Sequence, residues 1–187
     1  ERLVVRNLTL PASDIFGTDL DAISFSVAGG EILGIAGVSG NGQQELLAAL
    51  SGETTLATAE TITIDGKPAA KLDARRRRAL GLGSVPEDRL ERGALPSLPL
   101  SENALLTFNR DEVLSAGFIR FDAVKAFAER CIREFGVGGG GPDAPAGSLS
   151  GGNLQKFIVG RAGLQEPGVL VVAPPISRGT VNCWRVI

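Results

Sequence analysis

Between Ile23 and Val27 the chain alternates, with Ile23, Phe25 and Val27 separated by Ser24 and Ser26. A period of two predicts a strand with one buried face. Leu3 to Val5 reads as an earlier strand. Ile32 to Val38 is almost wholly apolar, which predicts a central parallel strand covered on both faces. The period then changes: over Gln43 to Ser51, Leu46, Leu47 and Leu50 fall on one side of a helix, and Gly52 follows as its C-cap. Thr61 to Ile64, followed by Asp65-Gly66, predicts a strand entering a turn. Lys71 to Leu82 has helical spacing, and Gly83-Ser84-Val85 begins a short strand that Pro86 closes.

Farther along, Gly93, Pro96 and Pro99 mark Arg92 to Leu100 as an exposed connection, and Ser101 has the character of an N-cap before a helix from Glu102 to Phe108. Val124, Phe127, Cys131 and Phe135 predict a helix over Phe121 to Phe135. Gly138 to Gly141, with Pro142 and Pro145 behind, reads as a flexible linker leading to Ser148. Val169 to Ala173 predicts a second buried strand. Strands alternating with helices place the chain in the α/β class.

Composition narrows the function classes. The 187 residues, 43% of them hydrophobic, suit one globular domain. A net charge of −2 provides no general attraction to nucleic acid or to an anionic membrane. The one concentrated basic run, Arg75 to Arg78, reads as a solvated helix face. No apolar stretch approaches the roughly 20 residues that span a bilayer, and the N-terminus lacks signal-peptide form, so a cytosolic location is expected. Cys131 and Cys183 lack metal-ligand spacing and read as reduced, buried thiols. With no histidine, imidazole catalysis and histidine metal sites are excluded.

Two glycine-rich loops carry the chemistry. Gly37-Val38-Ser39-Gly40-Asn41-Gly42 follows an apolar run and opens a helix, the layout of a phosphate-binding loop. Glycines allow positive φ and close approach of backbone amides, and the helix start adds a partial positive charge of about half a unit. The lysine and hydroxyl residue of such loops are replaced by Gln43 and Gln44. Loss of the ammonium weakens nucleotide binding by about one to two orders of magnitude. Glu45 adds a carboxylate in the same first turn, its direction open. By itself the loop is equally a tight strand-to-helix connection. The second loop is Leu149-Ser150-Gly151-Gly152-Asn153-Leu154-Gln155-Lys156, where Ser150 starts a predicted helix as N-cap or phosphate ligand; a plain serine-capped helix is the alternative.

LSGGNLQK resembles the signature motif of ATP-binding-cassette (ABC) ATPases. Together with Gly30 to Gly37, Asn41 to Leu46, Val85-Pro86-Glu87-Asp88-Arg89 and Ser101-Glu102-Asn103, it resembles the C-terminal cassette of the double-cassette ATPases of bacterial sugar and nucleoside importers. The resemblance runs from Leu3 to about Pro175 and implies an α/β, P-loop NTPase-like fold with a β subdomain and a helical insert. It places a core at about residues 1–92 and 164–187 and the insert at about 96–163, in a single nucleotide-binding domain.

The roles that follow are those the resemblance implies. Gly37, Ser39, Gly40, Asn41, Gly42, Gln43 and Gln44 form the nucleotide loop, and Phe16 stacks on adenine, unless it is a core phenylalanine. Glu87 stands in the coupling loop, where the family commonly has a glutamine. Ser150, Gly151, Gly152, Asn153 and Gln155 form the signature. Ala173 and Pro174 stand where an aspartate for magnesium and a glutamate base are ordinarily placed, so no catalytic and no metal-ligating residue is assigned. Past Ile176 the agreement fails: Arg178-Gly179 is followed by no expected aspartate, and the strand with its histidine is missing, as in a cassette truncated at its C-terminus.

The implied function is a degenerate second cassette that lends its signature to the ATP and Mg²⁺ of an N-terminal cassette. It would lie at the cytoplasmic face of the membrane against permease subunits and hydrolyse nothing alone. A non-catalytic docking module for a permease is the alternative, and a soluble cassette acting on DNA or ribosomes is a weaker one; no nucleic-acid partner is expected.

Overall fold

A computed structural model describes the chain except residues 13, 14, 16, 39, 109–112, 116, 174–181 and 187, with backbone alone at 91 and 182–186. The described chain divides into two compact units, residues 1–84 with 167–187, and residues 85–166.

In the first unit, β1 (Leu3–Leu10) pairs antiparallel with β2 (Leu20–Val27) and β4 (Ile62–Ile64), and β5 (Lys67–Pro68) completes a sheet of order β2-β1-β4-β5. The predicted alternation holds in β2, where Ser24 and Ser26 are exposed between the more buried Ile23, Phe25 and Val27. β1 runs longer than Leu3 to Val5 because a register shift after Val5 lets it continue: Asn7 takes φ 49° and its N–H bonds Ser24 Oγ at 2.8 Å.

The second sheet has order β3-β10-β9-β6, built from β3 (Leu33–Gly37), β6 (Leu82–Val85), β9 (Val169–Val172) and β10 (Asn182–Val186). Here the expected all-parallel neighbourhood is not what forms. β10 runs antiparallel to both β3 and β9. The short connection after β9 permits this, since a parallel return needs a crossover of a dozen or more residues. Among the described residues only β10 pairs with β3, which is an edge strand of half-buried and exposed residues, and Ile32 and Val38 at its ends are 59% and 69% exposed, not covered on both faces. The core lies instead between α1 (Gln43–Ser51) and the strands: Leu46, Leu47 and Leu50 pack with Ile62, Ile64, Leu82, Val169 and Val171. Gly52 ends α1 in the left-handed conformation at φ 88°, as the C-cap predicts.

The arginine run is not a solvated face. Only a short helix, α2 (Ala74–Ala79), forms within Lys71 to Leu82, capped by Asp73 Oδ1 on Arg76 N–H at 2.8 Å. Arg75 and Arg76 are exposed, but Arg77 is fully buried. Its guanidinium donates to the carbonyls of Leu72, Ala49, Leu50 and Ala70. Two of these are end carbonyls of α1, so one cation satisfies groups that a helix terminus leaves orphaned. Burial pushes this guanidinium down to about 10.

In the second unit, α3 (Leu100–Leu105), α4 (Phe121–Glu134) and α5 (Gly151–Gly163) enclose Leu100, Ala104, Val124, Ala128, Cys131, Leu154, Phe157 and Ile158; a small hairpin joins β7 (Leu114–Ser115) to β8 (Phe118–Ile119). α3 starts one residue before the predicted cap: Pro99 is the N-cap, and Ser101, inside the first turn, gives its backbone N–H to Pro142 O at 2.8 Å. α4 and α5 approach closely because residue 160 is glycine; a Cβ there would meet Cys131 Sγ at 2.8 Å. Cys131 is the predicted buried thiol; burial pushes its pKa up to about 12. The side chain of Cys183 lies outside the described residues.

The segment read as a flexible linker is tied down. Gly138 N–H bonds Asn153 Oδ1 at 3.0 Å, and Leu100, Ala146 and Gly147 exchange backbone hydrogen bonds across 96–101 and 142–147. Buried Asn103 fastens the same region, accepting from Leu95 N–H and donating to the carbonyls of Leu95, Leu98 and Pro99.

Candidate functional site

In the first unit the glycine loop forms a tight turn between β3 and α1. Gly40 and Gly42 sit at φ 91° and 89°, where a side chain would be strained. A Cβ at Gly42 would also meet Leu20 Cδ2 at 2.9 Å. Thr18 braces the loop, donating its hydroxyl to Gly40 O at 2.7 Å, and its backbone N–H bonds Glu45 Oε1 at 3.2 Å. The direction of Glu45 is thereby settled: its carboxylate is engaged by Thr18. No side chain caps α1 among the described residues. Its first-turn amides therefore keep the anion-directed character expected of them.

The loop's polar groups are met from within. Gln43 is only 5% exposed, although Gln44 beside it is exposed. Its Nε2 donates to Val38 O at 2.9 Å, and its Oε1 accepts from Asn41 N–H at 3.1 Å, an amide that also reaches Val38 O at 3.3 Å. A Cβ at Gly37 would collide with Gln43 Nε2. Ser39 and Phe16 lie outside the described residues, as do Pro174, Arg178 and Gly179.

Among the described residues, the positions a magnesium ion would draw on provide few donors. Gln44 offers one neutral amide oxygen and Ala173, fully buried, offers nothing. Among the described residues no group of three His, Cys, Asp or Glu side chains could hold a metal ion.

In the second unit the signature loop stands at the start of α5. Ser150 is the N-cap: its Oγ accepts from Asn153 N–H at 3.5 Å and from Asn153 Nδ2 at 3.1 Å. Asn153 thus links the cap to Gly138, and Lys156 donates to Gly136 O at 3.2 Å. Ser150, Gly151 and Gly152 are exposed, Asn153 and Gln155 half-buried. A Cβ at Gly152 would meet nothing within 4 Å, so its surface is open.

One contact was not legible in the motif. Arg89, in a single π-helical turn over Arg89–Gly93, donates Nη1 to Gly151 O at 2.9 Å, and a Cβ at Gly151 would lie 2.8 Å from the same nitrogen. A Cβ at Gly151 would crowd only the tip of the Arg89 side chain, which can move aside. Asp88 shapes that turn, accepting from Gly93 N–H through its carbonyl and from Leu90 N–H through Oδ1, both at 2.9 Å. Arg161, buried in α5, donates to Asn103 O and Gly93 O at 2.7 and 2.8 Å. Glu87 is half-buried just before the turn. Among the described residues no helix is long and apolar enough to cross a membrane.

Comparison with known proteins gives a consistent picture. Residues 20–176 match the family model described as ABC transporter. The chain is 37% identical over 180 residues to the glucose import ATP-binding protein TsgD13 of Haloferax volcanii, covering 94% of this chain and 32% of that protein. It is 36% identical over 158 residues to the nucleoside import ATP-binding protein NupA of Lactococcus lactis subsp. cremoris, covering 84% and 31%. The chain therefore spans about a third of the length of these relatives. Among solved structures, a nucleotide-free ATP-binding cassette from an ABC transporter is similar at TM-score 0.65 and 20% identity, over 95% of this chain and 70% of that one. A dimeric post-hydrolysis cassette bound to ADP and Pi is similar at TM-score 0.68 and 19% identity, over 91% and 72%. At those identities the structural likeness concerns the fold.

Proposed function

The chain belongs to the ABC transporter family of ATP-binding cassettes, and on that premise we propose that it is the second, degenerate cassette of a sugar or nucleoside importer. In this reading Ser150 and the amides of α5 are lent to the ATP and Mg²⁺ of a partner cassette, while the chain's own loop binds nucleotide weakly and cleaves none. The partner is an N-terminal cassette of the same polypeptide or a second cassette, and permease subunits hold the pair at the cytoplasmic face of the membrane, with Glu87 in the loop that meets them.

The contrast between the two loops carries the reading. The signature is exposed, its cap held by Asn153 and its outer glycine unobstructed, so it can present amides to a γ-phosphate without reorganisation. At the positions where a phosphate loop has its lysine and its metal-binding hydroxyl this loop has Gln43 and Gln44, and the carboxylate of Glu45 is engaged by Thr18. The names and lengths of the relatives support the same assignment, since proteins about three times as long leave room for a second cassette.

Replacing Ser150 by arginine in the intact two-cassette ATPase tests the proposal. Loss of one preorganised donor group from a developing oxyanion costs about 10² to 10³ in turnover. Steady-state ATP hydrolysis is expected to fall by that factor; unchanged turnover would reject a contribution from the signature.

A further inference from the structure

We infer that the carboxamide of Gln43 is the resident occupant of the glycine loop, and that a polyphosphate can enter only when this side chain leaves. The inference deepens the proposed function and rests on its reading of this site as the weak one.

The absence of lysine would by itself leave a neutral but vacant nest. The geometry is different. Gln43 Oε1 accepts from Asn41 N–H at 3.1 Å, the bond a phosphate oxygen would make. Gln43 Nε2 donates to Val38 O at 2.9 Å, covering a carbonyl whose partial negative charge would otherwise repel an anion. The amide lies so close to Gly37 that no Cβ fits there, and Gln43 is 5% exposed at the mouth of a loop whose neighbours Asn41 and Gln44 are exposed. The loop's first glycine thus accommodates a side chain of the chain itself. Thr18 braces the loop through Gly40 O, so displacing Gln43 breaks both of its bonds without relaxing the turn. An anion can replace the acceptor bond to Asn41 but not the donor bond to Val38.

Gln43 therefore acts twice: it withholds the cation that would attract a polyphosphate, and it competes with the ligand as an intramolecular neutral mimic. The one hydrogen bond left unreplaced, to Val38 O, corresponds to a penalty of up to about tenfold on anion binding. The prediction runs against the usual expectation that trimming a loop residue weakens binding. Gln43→Ala should bind inorganic pyrophosphate and ADP about tenfold more tightly than the parent chain by calorimetry. Gln43→Lys should bind more tightly still, and Gln43→Glu, which keeps the acceptor and adds charge, more weakly.

Equal or weaker binding by Gln43→Ala, with the parent weak, would overturn the plug and leave the proposed function standing. Micromolar binding by the parent would overturn both. A measurement on the unmutated 187-residue chain covers the case in which a variant misfolds. By amide-selective NMR the Gln43 side-chain NH₂ should exchange slowly with water in the free chain and rapidly at saturating pyrophosphate. Fast exchange in the free chain would refute the inference.

Discussion

The loops at the starts of α1 and α5 are built from the same parts and end in opposite states. Each is a glycine-rich turn feeding a helix N-terminus, and each helix is gripped by a buried arginine that donates to backbone carbonyls, Arg77 at the end of α1 and Arg161 within α5. At α1 the side chain of Gln43 turns back into the loop and is buried. At α5 Asn153 bonds the cap and Gly138, and the surface beyond Gly152 stays open. The lesson is that glycine spacing specifies the backbone turn, while one amide side chain decides whether the turn faces a ligand or itself.

Mutations can break or sharpen that contrast. The largest effect on folding is expected at Arg77. Arg77→Leu leaves buried carbonyls at the end of α1 unpaired and should cost roughly 3 kcal/mol by urea denaturation. A loss under about 1 kcal/mol would mean that the guanidinium does not anchor α1. The two signature glycines should then separate structure from activity. Gly151→Ala displaces the Arg89 guanidinium and should cost its hydrogen bond to Gly151 O, about 1 kcal/mol of stability. Gly152→Ala meets no neighbour, so stability should stay within about 0.5 kcal/mol of the parent, while ATP turnover of the two-cassette assembly falls. A Gly152→Ala protein as active as the parent would show that the open surface faces no ligand.

The smallest effect concerns Cys131, beneath α5. Its folded pKa is raised, so the folded state holds its proton where the unfolded chain, near 9.0, releases it. The associated stability is fully present below about pH 9 and is lost as pH climbs from there toward about 12. Chemical denaturation at pH 8 and pH 10 should show that decline, and mass-spectrometric mapping should find Cys131 unalkylated in the native chain at pH 8.

Much of the architecture was readable from residue order because periodicity and glycine placement are local properties. The α1 helix with its Gly52 cap, the alternation in β2 and the Ser150 cap all follow from positions a few residues apart. The failures were those of long-range pairing. Ile32 to Val38 has the composition of a central strand, yet its burial depends on which strands lie beside it, and among the described residues β10 alone pairs with it. Arg77 looked like its exposed neighbours because its partners at Ala49 and Leu50 come from a different helix. Gly138 to Gly141 had the composition of a linker, although its hydrogen-bond partner, Asn153, lies beyond the loop.

The linear order of residues determined which chemistry is possible: two glycine turns, one signature, no histidine, and glutamine where a phosphate loop has its cation. Only the folded chain decided where the polar atoms of those residues point. Periodicity reports the face on which a side chain lies, but the hydrogen bonds that hold Gln43 inward and Arg89 against Gly151 depend on backbone groups that folding alone brings to 2.9–3.1 Å.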